Sequence, residues 1–176
     1  IFQMLGVVTA QQLLFIPDPT GFLLFIIPSV LVSLSFAPIL LSISPTPAFE
    51  MSKPMSLKEL FHVSPLGFVG MALLGGIYSA QFAMAAVYGT MAGFSNGQIA
   101  TLASSFYVGA LVLQFPIGWI SDRVDRRLLI LAVAAIGGVA AIAAALAGSF
   151  LGILAAAFLI GGMSNPLYAL LIAYSN

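Results

Sequence analysis

Gly118-Trp119-Ile120-Ser121-Asp122-Arg123-Val124-Asp125-Arg126-Arg127 carries five of the charged side chains of a 176-residue chain that has only five basic and five acidic residues in all. The stretch lies between two long apolar segments, so these charges gather at a single helix junction. Working outward from it, the chain is 61% hydrophobic and 6% charged, against about 25% charged residues in soluble domains. A chain this poor in charge cannot cover a water-facing surface, and its expected solvent is lipid. A net charge of zero argues against nucleic-acid partners. There is no cysteine, which excludes disulfides and thiolate metal sites. His62 is the single histidine, and without a companion it argues against any metal centre. No cofactor motif is present.

A helix needs about 20 apolar residues to cross a bilayer core of about 30 Å. On that measure the sequence predicts a short first apolar segment from Ile1 to about Phe15 and a second from about Gly21 to Ile43, separated by the helix-breaking Pro17-Asp18-Pro19. A polar connection follows, Ser44 to Val63, holding Glu50, Lys53, Lys58, Glu59 and His62. Further spans are expected from about Pro65 to Met91, Gln98 to Ile120, Leu128 to Ala147 and Leu151 to Ala173, with turns at Ser95-Asn96-Gly97 and Gly148-Ser149. The chain starts and stops inside or just after apolar runs, and it is expected to be a piece of a longer protein.

Parity gives an orientation. Two crossings separate the loop holding Lys53 and Lys58 from the loop holding Arg123, Arg126 and Arg127. All five basic residues therefore share one side, the cytoplasm by the positive-inside rule. Loops 44–63 and 121–127 are expected to be cytoplasmic. Within the first of them, Ser56-Leu57-Lys58-Glu59-Leu60-Phe61 reads either as a short amphipathic helix at the membrane surface or as a solvated linker. Ser56 and Glu59 have capping-box spacing.

Gly118-x-x-x-Asp122-Arg123-x-Asp125-Arg126-Arg127 resembles the signature loop of the major facilitator superfamily, Gly-x-x-x-Asp-(Arg/Lys)-x-Gly-Arg-(Arg/Lys). Asp125 stands where that pattern has Gly, which argues against a turn with positive φ at that position. The long polar linker two spans earlier makes the loop similar to the family's second copy, between helices eight and nine. Ser95-Asn96, Gln114-Phe-Pro116-Ile-Gly118-Trp and Gly162-Met-Ser-Asn165-Pro166-Leu-Tyr168 look like the same family, especially its YcaD-like bacterial branch. The resemblance implies an all-α integral membrane protein, part of a 12-helix bundle of two six-helix halves. Residues 1–43 would be the end of helix five and helix six, 44–63 the central cytoplasmic linker, and 64–176 helices seven to ten. It implies a permease of a bacterial inner membrane that moves a small organic solute or drug-like molecule by alternating access. Gly118, Asp122, Arg123, Asp125, Arg126 and Arg127 would then bias which side is open, the alternative being that these charges only set topology.

Such carriers place substrate near the bilayer midplane. No Asp, Glu, Lys, Arg or His lies well inside a span. Intramembrane ionisable residues mark proton relays, so residues outside these spans would serve any coupling proton, or transport is not proton-coupled. The remaining candidates for the substrate pathway are uncharged: Tyr78, Gln81, Tyr88, Gln114, Asn165 and Tyr168, with Gln81 and Asn165 the deepest. Each has the commoner alternative of an interhelical hydrogen bond or an interfacial aromatic position. Gly67, Gly70, Gly75-Gly76, Gly137-Gly138 and Gly161-Gly162 are expected to let helices approach closely. No nucleophile, base or metal cluster supports an enzyme, and no filter supports a channel. The rival to a carrier is a non-transporting membrane sensor or scaffold of the same fold.

Overall fold

A computed structural model describes residues 2–16, 21–41 and 56–175 of the chain. Its elements, in chain order, are α1 (Phe2–Gln11), which tightens into a 3-10 turn over Gln12–Phe15, α2 (Leu23–Ser35), α3 (Ala37–Leu40), α4 (Leu57–Val63), α5 (Pro65–Ser79), a π-turn over Ala80–Met84, α6 (Ala85–Met91), α7 (Asn96–Ser121), α8 (Arg126–Leu146) and α9 (Phe150–Ser175). No strand occurs among the described residues. The chain divides into two compact units, Ile16–Met55 and the remainder. The Pro17-Asp18-Pro19 break and residues 42–55, with Glu50 and Lys53 of the expected linker, lie outside the described residues.

In the smaller unit the expected single span from Gly21 to Ile43 is interrupted. α2 ends at Ser35, and α3 begins two residues later. Pro38 explains the break: it has no N–H for the carbonyl of Leu34, and its ring crowds that carbonyl. The hydroxyls of Ser29 and Ser33 donate to the carbonyls of Phe25 and Ser29, at 2.7 and 2.9 Å. That is how a helix in an apolar setting satisfies hydroxyls without a neighbour.

In the larger unit the four later spans form where the apolar pattern puts them: Pro65–Met91, Asn96–Ser121, Arg126–Leu146 and Phe150–Tyr174 are long and apolar enough to cross a membrane. At 27 residues the first of these is about 40 Å long, more than the bilayer core requires. The outward face of α8 leaves Leu131, Val139, Ile142 and Leu146 exposed, a continuous apolar surface that only lipid or another apolar partner suits.

The ends of these helices are set by local chemistry. Ser64 accepts from the Gly67 amide at 3.3 Å and Pro65 follows at the first helical position, where its missing N–H costs nothing. α6 ends at Gly93, whose φ of +74° suits only glycine. The Phe94 and Gly93 amides bond back to the carbonyls of Gly89 and Thr90, and Phe94 packs edge-on against Tyr88, the full Schellman arrangement. The turn glycine is therefore Gly93, and not Gly97 of the expected Ser95-Asn96-Gly97 turn. Gly97 lies inside α7, where a Cβ would press on the ring of Phe15. Ser95 caps α7 in a reciprocal box with Gln98.

The same box forms at Ser56. Its amide donates to Glu59 Oε2 at 2.8 Å and its hydroxyl accepts from the Glu59 amide at 3.3 Å, so the 56–61 segment is helical. The Ser56 amide first, and then the Ser56 hydroxyl, hold the Glu59 carboxyl below its usual value. A depressed carboxyl contributes stability above its unfolded pKa and loses it as pH falls through the folded one. Amide protection in α4, measured against an unstructured chain at the same pH, is therefore expected to fall on acidification below the ordinary carboxylate range. Protection unchanged to about pH 3 would remove Glu59 from the cap.

α9 is the centre of the larger unit. It packs against α5, α7 and α8 and is apolar on every side, as a helix with three neighbours must be. The core gathers Leu74, Ile117, Leu129, Ile130, Val133, Met163, Leu167, Leu170 and Leu171. The tightest seam joins α7 to α9. A Cβ on Gly109 would overlap the Phe158 carbonyl, and one on Gly161 would overlap the Phe106 carbonyl. Two backbones touch here with nothing between them. Gly162 also meets Leu113, and Gly70 meets Leu171. Gly75, Gly76 and Gly138 meet nothing within 4 Å among the described residues, contrary to their expected role in close packing.

Candidate functional site

The charged loop joins α7 to α8 without positive φ. Asp122 closes α7 in helical conformation. Asp125, at φ −60° and ψ 120°, is the N-cap of α8, and its carboxylate accepts from the Arg127 amide at 2.8 Å. A carboxylate at a helix N-terminus meets the positive end of the dipole. Asp125 thus serves as a helix cap and not as a turn residue of positive φ.

The arginines serve helix ends. Arg123 donates to the Trp119 carbonyl at 2.8 Å, and its guanidinium lies 3.8 Å from the Trp119 ring centre. Arg126 reaches α9 and donates to the Ala173 carbonyl at 2.9 Å. Arg127 lies 5.3 Å from the centre of the Tyr174 ring. Cations at the C-terminal ends of α7 and α9 oppose the negative dipole ends, worth about 0.3–1 kcal/mol each. Their partners are carbonyls and rings. Among the described residues no guanidinium comes within 4.0 Å of a carboxylate. Asp122 is exposed at the mouth of a cleft of about 340 Å³ that Gln114, Gly118 and Pro166 also line.

The contacts of this loop also order the helix ends. Arg126 and Arg127 touch the end of α9, and Gly70 in the first half of α5 lies against Leu171. At the opposite end Phe94 packs edge-on against Phe150, centres 5.1 Å apart. Helix α4 with Lys58 therefore lies toward the same end of the unit as the three arginines, as parity requires.

A second constellation lies near the middle of the spans. The helix widens into a π-turn at Ala80–Met84, a distortion that frequently marks functional sites. It turns Gln81 inward, leaving it 7% exposed. Gln81 Nε2 donates to Ser164 Oγ at 3.1 Å. The Tyr78 hydroxyl donates to the Ser164 carbonyl at 3.3 Å. Gln81 also lines an apolar cleft of about 440 Å³ with Met84, Tyr88, Ala141 and Ile160. Beside this node the rings of Tyr78, Phe82 and Tyr107 follow one another with centres 5.7 Å apart and planes within 22° and 20° of parallel.

The structure thus brings Tyr78 and Gln81 together at Ser164, and Gln81 and Tyr88 to one cleft. Tyr168, one helical turn from Ser164 on α9, is 45% exposed and lies within electrostatic reach of Tyr78. Gln114 stands apart in the charged-loop cleft, one helical turn before Gly118. Asn165 makes, among the described residues, only a local bond, to the Gly161 carbonyl at 3.4 Å. Ser164, Phe82 and Tyr107 were not singled out in the sequence. A serine beside Asn165 and an apolar phenylalanine carry no mark of their own; only the partner helices give them a role. No protein-family model, no curated protein and no solved structure matches this chain.

Proposed function

We propose that this chain is the helical machinery of a secondary carrier, of the kind the Gly118–Arg127 loop resembles, moving a small organic solute across a membrane by alternating access. One observation carries the reading. Tyr78, Gln81 and Ser164 assemble a polar node near the middle of two apolar helices that are long enough to span. Carriers bind substrate at this depth. The charged loop adds support: its arginines hold the ends of α7 and α9 by exposed contacts, weak enough to exchange, while Asp122 remains available to a partner that comes and goes. The cytoplasmic placement of this loop follows from the positive-inside rule. A small-molecule substrate and the bilayer are the expected partners.

The absence of native cysteine makes labelling clean. Single cysteines placed at Ser95 and at Ser121 report the two ends of α7. Asp122→Asn is expected to shift the balance of labelling between the two ends while membrane insertion stays intact. Unchanged labelling at both would remove the gating role and favour the non-transporting sensor or scaffold.

A further inference from the structure

Of the three stacked rings beside the node, Tyr78 packs against the core and bonds Ser164, and Phe82 and Tyr107 continue the row. Phe82 is 53% exposed although it stands in the middle of the span. Parallel rings with centres 5.7 Å apart are offset from one another, with Tyr78 and Tyr107 part-buried and Phe82 exposed. Ring faces carry the negative part of the aromatic quadrupole and prefer offset stacking or a cation above them. No charged side chain lies in 65–121, the helices that carry these rings. An anion would therefore find no counter-charge there and three repelling faces. The Tyr107 hydroxyl has no hydrogen-bond partner among the described residues, which leaves a polar group at the end of the row. The π-turn holds both Gln81 and Phe82, so one distortion builds the polar node and places the middle ring.

We propose that Tyr78, Phe82 and Tyr107 form a binding face for flat aromatic ring systems that carry no negative charge. The substrate class of the carrier would then be planar aromatic molecules, neutral or cationic. This assignment rests on the carrier reading for its biological meaning, but binding itself needs no turnover.

Ethidium, a planar aromatic cation, is a suitable probe, with the whole protein in lipid nanodiscs and fluorescence anisotropy as readout. Saturable binding above that of protein-free nanodiscs is expected. Phe82→Leu should weaken it about tenfold, the scale of one lost aromatic stack. Phe82→Trp keeps a face and should stay within about threefold of the parent. 2-Naphthalenesulfonate, a flat aromatic anion, should not compete at equal concentration. Ethidium that partitions no better than into empty nanodiscs, binding indifferent to Phe82→Leu, or displacement by 2-naphthalenesulfonate would each overturn the assignment and leave Phe82 as a lipid-facing ring. Ring-dependent binding without gradient-driven flux would retire transport and keep the site. Flux of a non-aromatic solute without ring-dependent binding would do the reverse.

Discussion

Gly161→Ala is expected to unfold or severely loosen the larger unit, at a cost of about 3 kcal/mol or more. The reason is geometric. The added methyl would meet the backbone carbonyl of Phe106, and a Cβ on Gly109 would likewise meet the carbonyl of Phe158. A flexible side chain can rotate away from a methyl; a helical carbonyl cannot, so α7 and α9 must separate. Core overpacking by a methylene ordinarily costs about 1–3 kcal/mol, and a backbone clash belongs at the top of that range or above it. Gly138→Ala supplies the control. Among the described residues nothing lies within 4 Å of its Cβ position, and alanine is the better helix former by about 1 kcal/mol. Gly70→Ala falls between, because it meets only the Leu171 side chain. Unfolding of the purified protein in denaturing detergent should rank them Gly138, Gly70, Gly161 from mildest to worst. Equal effects at Gly161 and Gly138 would mean that α7 and α9 do not cross here.

Substitution at the polar node should be asymmetric. Ser164→Ala leaves the Gln81 amide, 7% exposed, without its partner on α9, and an unsatisfied buried polar group costs about 1–3 kcal/mol. Gln81→Leu is milder. The Ser164 hydroxyl already has a second acceptor, the Gly161 carbonyl at 3.3 Å, so nothing is orphaned. Interhelical hydrogen bonds in membranes average about 0.6 kcal/mol and reach about 1.7, which places Ser164→Ala near the upper figure and Gln81→Leu near the lower. The double variant should match Gln81→Leu alone, since removing the amide removes the penalty. Equal single effects that simply add in the double variant would mean that the two side chains do not interact.

The long helices were legible because length and apolarity decide a span almost alone. The capping box at Ser56 was legible for a related reason: cap and acceptor lie three residues apart, and no distant contact is needed. Ser95 and Gln98 have the same spacing, but in the sequence that stretch reads as a turn. The interruption at Phe36 was missed although Pro38 was in plain view, because a hydropathy count does not see a missing N–H. The glycines divide by the same logic. Gly161 and Gly75 look alike along the chain, and Gly109 stands alone, but only the neighbour across the seam decides that Gly109 and Gly161 are contacts and Gly75 is open. The six substrate-pathway residues were chosen by depth and polarity. Those rules found Gln81 and Tyr78, but they could not find Ser164, nor foresee that Asn165, one residue on, turns to its own helix. At the charged loop, the residue types leave the partners of the arginines open. Asp125 is engaged as a cap, and Arg123 and Arg126 take the carbonyls within their reach.

The carrier reading turns on turnover. The most direct test is gradient-driven uptake of ethidium into proteoliposomes containing the native protein, followed by its fluorescence on DNA trapped inside. The account predicts uptake that saturates with ethidium concentration, exceeds that of protein-free vesicles, and falls in Phe82→Leu. Saturable binding to the protein with uptake no faster than in empty vesicles would contradict it, and would leave a membrane protein that recognises its ligand without moving it.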